Sequence, residues 1–237
     1  MQGVLLVDKP ATWTSFDVVN YVRRIVATAE GKKPKNVKVG HTGTLDPFAT
    51  GLLVLLVGKE YTRQADSLTK LDKTYEVTMR LGETSSTGDP EGEITAVSGT
   101  APTREALEGA VAQFRGPISQ IPPAFSAIKI NGQRAYKLAR EGKEVIIEAR
   151  PVTINRLEIV EYNYPEAKLI ADVSSGTYIR TLVEDIAKAL GTVAYATQLR
   201  RTSVGKFYLA DASEVKSLTA EILEQALRPL PATLQAD

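Results

Sequence analysis

Apolar residues follow two patterns along this chain, and the first is typical of β-strands. Residues 4–7 and 52–57 are short, continuous apolar runs, which indicates strands buried on both faces. Residues 74–81 and 169–173 alternate apolar and polar side chains, as a strand with one buried face does. Residues 145–164 contain extended stretches of β-branched residues. The sequence therefore predicts strands at these five places along the chain.

The second pattern is the helical spacing of apolar residues. Thr14 and Asp17 have the spacing of a capping box, so a helix should start there. Further helices are predicted around residues 107–114, from Gly176 to a C-cap at Gly191, and around residues 220–227. Because strands and helices do not alternate regularly, the sequence favours an α+β fold with a mixed or antiparallel sheet and flanking helices.

Composition narrows the possible chemistry. The chain has 237 residues, 43% hydrophobic and 24% charged, enough for one large domain or one domain with an appendage. It has no cysteine, which excludes disulfides and thiolate catalysis, and its single histidine, His41, argues against a catalytic zinc. The first ten residues lack the features of a signal peptide, and no apolar run approaches the roughly 18 residues of a membrane span. We expect a cytoplasmic protein without a membrane or metal site.

Charge is locally segregated although the net charge is only +1. Residues 23–38 carry six basic side chains against one acid, and 30–38 should form a mobile basic loop. Residues 129–143 have a similar bias. Such stripes bind polyanions in some proteins and are solvated faces in others, and the stripes alone do not decide between the two.

The segment GHTGTLDPFATGLL, residues 40–53, carries the most specific candidate chemistry. Its glycines permit close backbone approach to a ligand, and Pro47 biases Asp46 toward an extended conformation. An acid is thus held on a shaped loop that leads into a buried strand. By itself, an Asp-Pro pair between glycines is more often a simple turn. A phosphate loop is excluded because the spacing from Gly51 to Gly58 is too long and Glu60 follows Lys59.

This segment resembles the catalytic motif of the TruB family of pseudouridine synthases, and four other segments match in the family's order. They are LVDKP with Thr14 and Ser15, KTY with Leu81, Gly82 and Asp89, QIPPAFSA at 120–127, and SSGTYIR with LRRT, at 174–180 and 199–202. The resemblance runs from about residue 3 to about residue 206. It implies the pseudouridine synthase fold, in which residues 1–210 form the catalytic domain. It also implies an RNA-gripping insertion at about 120–145, followed by a short helical tail, 211–237, and no PUA domain. Ala11 departs from the family's usual glycine and puts the local turn in question.

The resemblance also implies roles for individual residues. Asp46 would be the catalytic aspartate and Arg180 its ion-pair partner, since a guanidinium keeps a carboxylate ionised and oriented. Tyr75 would stack on the extruded uracil and take the proton from C5, although a tyrosine in a strand is more commonly a core residue. Tyr178 and Leu199 would line the pocket, where core packing explains them equally well.

The remaining implied roles concern RNA binding. His41 would help displace the target base, unless it is only a hydrogen-bonded loop histidine. Lys9 and Thr44, in the first two motifs, and Tyr136, in the insertion, would contact RNA.

The implied reaction is the isomerisation of a T-loop uridine of tRNA to pseudouridine. It needs no cofactor, because the N1–C1′ bond is exchanged for a C5–C1′ bond without redox change. Whether Asp46 attacks the ribose, adds to the base or removes a ribose proton stays open. The implied partner is the tRNA T-arm, with no guide RNA, and the chain should be a monomer. Two alternatives are an RNA-binding or tRNA-folding module without catalysis and a guide-RNA-dependent synthase, which would carry a further C-terminal domain.

Overall fold

The structure is a computed structural model that describes residues 1–97, 99–126, 128–130, 132–142 and 145–231. Its strands are β1 (Gly3–Lys9), β2 (Val39–His41), β3 (Thr50–Val57), β4 (Lys73–Leu81), β5 (Glu83–Ser85), β6 (Ile94–Ala96), β7 (Gly116–Gln120), β8 (Lys129–Ile130), β9 (Gln133–Arg134), β10 (Arg150–Asn163), β11 (Glu166–Val173), β12 (Ala194–Val204), β13 (Phe207–Tyr208) and β14 (Ser213–Glu214). Its α-helices are α1 (Ser15–Ala29), α2 (Lys59–Thr62), α3 (Ala65–Thr69), α4 (Arg104–Ala112), α5 (Ala135–Arg140), α6 (Ile179–Ala189) and α7 (Ala220–Ala226). Short 3₁₀ helices cover Pro34–Asn36, Leu209–Asp211 and Val215–Ser217.

Most predicted elements are confirmed. Strands β1, β3, β4, β10 and β11 occupy the predicted stretches, although β10 begins only at Arg150. Helices α1, α4 and α7 are also where the apolar spacing predicts them. The predicted start of α6 at Gly176 is wrong: the helix begins at Ile179, with Tyr178 as its N-cap. Gly176 instead has a φ of +88° and lies in the turn before the helix.

Helix α1 begins with the predicted capping box. The Thr14 hydroxyl accepts a hydrogen bond from the Asp17 N–H at 3.1 Å, and the Asp17 carboxylate accepts from the Thr14 N–H at 2.8 Å. Two of the unsatisfied N–H groups at this helix start are thereby paired. The apolar face of the helix, which includes Val18, Val22 and Val26, is buried.

The chain divides into two compact units, and the first comprises Met1–Tyr75 and Leu199–Asp237, described here to residue 231. Its strand order is β14–β1–β3–β12, with β1 and β3 antiparallel and the other two pairings parallel. Strand β3 is apolar throughout because both of its faces are covered. Leu53 and Leu55 pack in the cluster that contains α1, while Leu52 and Val54 pack in the cluster that contains Leu68 and Phe207.

The last described residues belong to the core of this first unit. Val215, Leu218 and Leu223 join the apolar cluster around α1, and Val4 exchanges backbone hydrogen bonds of 2.8 and 2.9 Å with Arg228. The predicted boundary at residue 210, between a catalytic domain and a tail, stays a prediction.

The second unit is Glu76–Gln198. Here β4, β11, β10 and β7 are neighbours in that order, and the pairings of β10 with β11 and with β7 are antiparallel. Helix α4 packs on β10 and on α6. The predicted insertion at about 120–145 contains the small β8–β9 hairpin and α5. Its contact with RNA stays a prediction.

The strand pairings confirm the predicted fold class. Among the pairings described here antiparallel pairs predominate, β1 with β14 and β3 with β12 are parallel, and helices flank the sheet strands, which is an α+β arrangement. Within the described ranges, no helix has both the length and the apolar content needed to cross a membrane.

Candidate active site

The loop that carries Asp46 is hydrogen-bonded to the start of α1. We call residues 43–52 the Asp46 loop. The Ser15 hydroxyl accepts a hydrogen bond from the Leu45 N–H at 2.8 Å and donates to the Leu45 carbonyl at 3.1 Å. Ser15 and Leu45 are both buried, with exposed fractions of 2% and 3%. One side chain therefore satisfies both backbone groups of the residue next to Asp46.

A second anchor is Lys9, at the end of β1. Its side chain is fully buried, and its ammonium donates to the carbonyls of Trp13 at 2.6 Å, Pro10 at 2.9 Å and Pro47 at 3.3 Å. The Thr12 N–H donates to the same Pro47 carbonyl at 2.8 Å. These bonds tie the turn after β1 to the residue that follows Asp46. These contacts of Lys9 position the loop, and its role as an RNA ligand stays a prediction.

The turn itself has an unusual backbone. Thr12 has a φ of +71°, a region that β-branched residues rarely adopt. This is the turn where Ala11 departs from the family's usual glycine. The left-handed residue is therefore the one after Ala11, and its conformation is held by the bond to Pro47.

The two ends of the Asp46 loop are joined by Arg201 of β12. Its guanidinium donates to the Gly43 carbonyl at 3.0 Å and to the Leu52 carbonyl at 2.8 Å, and the side chain is almost completely buried. Gly51 pairs with Arg201 so closely that an added Cβ would lie 2.3 Å from the Arg201 carbonyl oxygen. Only glycine fits there, and its φ of +101° gives a second reason.

A second buried cation lies beside Arg201. The Lys73 ammonium donates to the carbonyls of Thr69 at 2.7 Å and of Leu71. Burial, and after it the charge of Arg201, lowers the pKa of Lys73 from 10.5 to about 8. A Cβ built at Gly43 would be 3.4 Å from an Arg201 nitrogen and 3.8 Å from the Lys73 side chain. Positive charge is therefore concentrated next to the backbone of the Asp46 loop, where it favours an anionic group.

Leu199 lies on β12, which pairs with β3 at the end of this loop, and Tyr75 lies on β4. Leu199 is buried and precedes Arg200, which binds the Asp8 carboxylate through two contacts of 2.7 and 3.3 Å and donates to the Thr50 hydroxyl at 3.2 Å. Tyr75 is 8% exposed on β4. Its exposure fits a core tyrosine as well as a pocket residue, so its predicted role stays a prediction.

His41 and Thr44 are on the same segment as Asp46. His41 ends β2 opposite Leu55 of β3 and is half-buried, whereas Thr44 is exposed. The first unit thus contains six of the nine predicted site residues: Lys9, His41, Thr44, Asp46, Tyr75 and Leu199. All of these except Tyr75 lie on the Asp46 loop or on strands that pair with β3.

In the second unit, Arg180 forms a buried ion pair with Asp89. The guanidinium donates to the Asp89 carboxylate at 2.9 Å, to the Thr87 carbonyl at 2.7 Å and to the Phe125 carbonyl at 2.8 Å. Both charged side chains are only 5% exposed. The other carboxylate oxygen of Asp89 accepts from the Thr87 hydroxyl at 2.6 Å and from the Glu91 N–H at 3.0 Å. Such full pairing is what a buried charge requires.

Tyr178 is fixed through its backbone. The Gln120 side chain accepts from the Tyr178 N–H at 2.8 Å and donates to the Tyr178 carbonyl at 3.1 Å. Gln120 is 2% exposed, so these two hydrogen bonds with a buried side chain fix the backbone at the start of α6. The ninth predicted residue, Tyr136, lies in α5, but its side chain is outside the described part of the chain.

Sequence reasoning missed four residues that shape the site: Ser15, Lys73, Asp89 and Arg201. All four belong to the motifs given above, but the motifs imply no role for them. Ser15, Asp89 and Arg201 act through contacts that are distant in sequence, such as the one between Asp89 and Arg180, 91 positions apart. The hydrogen bonds of Lys73 are local, to Thr69 and Leu71, and only the charge of Arg201 reaches it from a distant position. The available signal was a polar residue within an apolar or strand context, as at Arg201 in β12.

Across the described ranges, no group of three or more histidine or acidic side chains has the arrangement of a metal site.

Two family models together cover residues 30–235. Residues 30–179 match the model described as the TruB family pseudouridylate synthase N-terminal domain, and residues 180–235 match the tRNA pseudouridylate synthase B C-terminal domain.

Curated relatives point to the same family. A protein named tRNA pseudouridine synthase B from Pseudomonas putida is 48% identical over 226 residues, which are 95% of this chain and 70% of the relative. One of the same name from Arthrobacter is 44% identical over 241 residues, covering 97% of this chain and 76% of the relative.

Solved structures support the fold. The chain is similar to one in the crystal structure of a Cbf5-Nop10-Gar1 complex, with a TM-score of 0.72 and 27% identity, and to one in an archaeal box H/ACA sRNP Nop10-Cbf5 complex, with a TM-score of 0.68 and 25% identity. In both cases 96% of this chain is covered, and it spans only 60% and 59% of those chains. The family models and the relatives together show that the chain belongs to the TruB family and is an isomerase of the pseudouridine synthase class.

Proposed function

We propose that this chain isomerises the T-loop uridine of tRNA, at position 55, to pseudouridine, with Asp46 as the catalytic aspartate. The observation that carries the proposal is the fixation of the Asp46 loop. Buried side chains of Ser15, Lys9 and Arg201 hold its backbone on both sides of Asp46. A carboxylate held in this way is pre-organised, and positioning of the reacting group is a major part of catalysis.

The proposed substrate is supported by the names of the relatives. Proteins that are 44–48% identical over nearly the whole chain are named tRNA pseudouridine synthase B. The partner is accordingly the T-arm of tRNA, bound by a single chain without a guide RNA, and the chemistry needs no cofactor.

The proposed reaction balances without an external reagent. The N1–C1′ bond of the target uridine breaks, the uracil rotates, C5 bonds to C1′, and the proton on C5 passes to a base and is replaced at nitrogen from solvent. The target nucleotide must leave the stack for a carboxylate to reach it. Asp46 acts as an anion beside the ribose and the base in each of the three possible routes.

The other predicted residues have supporting roles in this proposal. Arg180 orients the carboxylate of Asp46 and is itself held by Asp89. Tyr75 stacks on the uracil and accepts the C5 proton. Tyr178 and Leu199 line the pocket.

The remaining predicted residues would contact the RNA. His41 occupies the position of the displaced base, and Lys9, Thr44 and Tyr136 contribute to RNA binding.

The proposal is tested by mapping the product. A tRNA transcript is incubated with the purified chain, and pseudouridine is located by reverse-transcription stops after carbodiimide treatment. A matched transcript has the T-loop target uridine replaced by cytidine. We expect one new stop, at the T-loop position, in the first transcript and none in the second. If both transcripts bind but neither shows a stop, the chain is an RNA-binding module and the proposed activity is wrong.

A further inference from the structure

A group of exposed cations lies on two adjacent segments of the first unit. The segments are residues 31–38, between α1 and β2, and residues 58–63, which contain α2. They are joined by a 2.8 Å hydrogen bond from the Gly58 N–H to the Lys38 carbonyl. We call the exposed side chains of Lys33, Lys35, Lys38, Lys59 and Arg63 the α2 basic surface.

The segment before β2 has a defined conformation. Residues Pro34–Asn36 form a 3₁₀ turn, and Val37 and Val39 are buried in the core cluster around α1. Lys38 lies between these two buried valines and is exposed, as expected for alternating side chains of an extended segment. Arg23 of α1 also donates to the Val39 carbonyl at 3.2 Å. The backbone that carries Lys38 is therefore anchored to the core on both sides.

None of the five cations has an ion-pair partner among the described residues. Glu60 is the one acid in the two segments, and Glu30 nearby pairs with Lys32 and with the amino terminus. Cations of the second unit behave differently, since several exposed ones pair with carboxylates: Arg104 with Glu108, Arg156 with Glu158, and Lys168 with Glu161. Clustered unpaired cations repel one another and gain free energy from an external polyanion.

The position of this surface favours RNA as that polyanion. Lys38 is three residues before His41 on the segment that leads into the Asp46 loop, a distance of about 10 Å at the usual rise of a strand. The two segments have no exposed aliphatic or aromatic side chain that could insert into a bilayer, because Val37 is buried and Tyr61 is half-buried. Phosphodiester groups, in contrast, need only the charges.

We propose that the α2 basic surface binds the sugar-phosphate backbone of the RNA substrate, outside the nucleotide that enters the active site. This inference rests on the proposed function, since it concerns the same RNA. The surface supplies affinity and does not take part in the chemistry. Its contribution should therefore depend on salt and leave the rate of the bound complex unchanged.

The test compares two triple variants with the same change of charge. One is Lys38→Gln, Lys59→Gln and Arg63→Gln. The control is Arg104→Gln, Arg156→Gln and Lys168→Gln, in which every replaced cation is already paired with an acid. The dissociation constant for a tRNA transcript is measured at several salt concentrations, and single-turnover pseudouridine formation is measured at saturating protein.

For the first triple variant, we expect the slope of log affinity against log salt to fall by about 2–3, with about 100-fold weaker binding at 0.1 M salt. Its single-turnover rate should stay within about twofold of wild type, and the control should bind like wild type. Unchanged affinity and slope in the first triple variant, or equal losses in both variants, would overturn the inference. Absence of product with wild type would overturn the proposed function instead, because binding and product are measured separately.

Discussion

The two hydrogen bonds between Ser15 and Leu45 lead to a specific prediction. Ser15→Ala removes the hydroxyl that pairs with both backbone groups of Leu45, at 2.8 and 3.1 Å. Since both residues are almost completely buried, water cannot replace the lost bonds. A buried N–H and a buried carbonyl left unpaired should cost about 2–3 kcal/mol together. We expect a loss of this size in the free energy of unfolding, measured by urea denaturation.

The same change should reduce catalysis by more than it reduces binding. Leu45 is adjacent to Asp46, so relaxation of its backbone moves the carboxylate. A displacement of about 1 Å costs roughly 100-fold in rate. We therefore expect kcat to fall about 10- to 100-fold, measured by tritium release from tRNA, with little change in the dissociation constant of the RNA.

Thr14→Ala is the matched control. Thr14 is the neighbouring hydroxyl, and its bonds are to Asp17 at the start of α1 and not to the Asp46 loop. Loss of this cap should cost about 1 kcal/mol of stability and leave kcat within about twofold of wild type. The reasoning would be refuted if Ser15→Ala kept its kcat, or if Thr14→Ala lost as much activity.

Further predictions for four substitutions concern stability. Gly51→Ala should destabilise the protein by about 2 kcal/mol or more, because its Cβ meets backbone and φ is +101°. Gly109→Ala, in α4 with open space around it, should instead stabilise by about 0.5–1 kcal/mol in the same thermal melts. Asp89→Asn should cost about 3–5 kcal/mol in urea unfolding, because the Arg180 guanidinium stays buried without its counter-charge; an effect below about 1 kcal/mol would contradict this. Since the pKa of Lys73 is about 8 in the folded protein and 10.5 in the unfolded chain, the unfolded chain binds more protons between these values. Wild-type stability should therefore rise from about pH 8 to about pH 10.5 relative to Lys73→Met, and equal pH dependence of the two would refute the assignment.

Features that depend on local sequence could be predicted. The capping box of Thr14 and Asp17 involves residues three apart, so its spacing alone locates the start of α1. The apolar run in β3 likewise follows from burial on both faces, and the structure gives the cause in the two clusters that cover it.

The start of α6 could not be predicted in this way. Gly176 is a plausible helix neighbour by composition, but it lies in a turn before the helix. The start is set at Tyr178 by two hydrogen bonds between its backbone and the side chain of Gln120, which is 58 positions away. No local pattern contains that information.

In the candidate site, too, the sequence predicts what depends on local residues and misses what depends on distant contacts. Asp46 could be identified because it lies in a specific motif on a shaped loop. The residues that hold the loop could not, because Ser15 bonds to a backbone 30 positions away and Arg201 bonds to one 158 positions away. Such contacts depend on where the chain passes in the fold and not on the neighbouring residue types.

The most direct test of the central claim is tritium release from tRNA labelled at C5 of uridine, measured for wild type and for Asp46→Asn. The substitution keeps the size of the side chain and removes its charge. The account predicts release by wild type, no release by Asp46→Asn, and unchanged tRNA binding by both. Release by Asp46→Asn at the wild-type rate would contradict the catalytic role of Asp46.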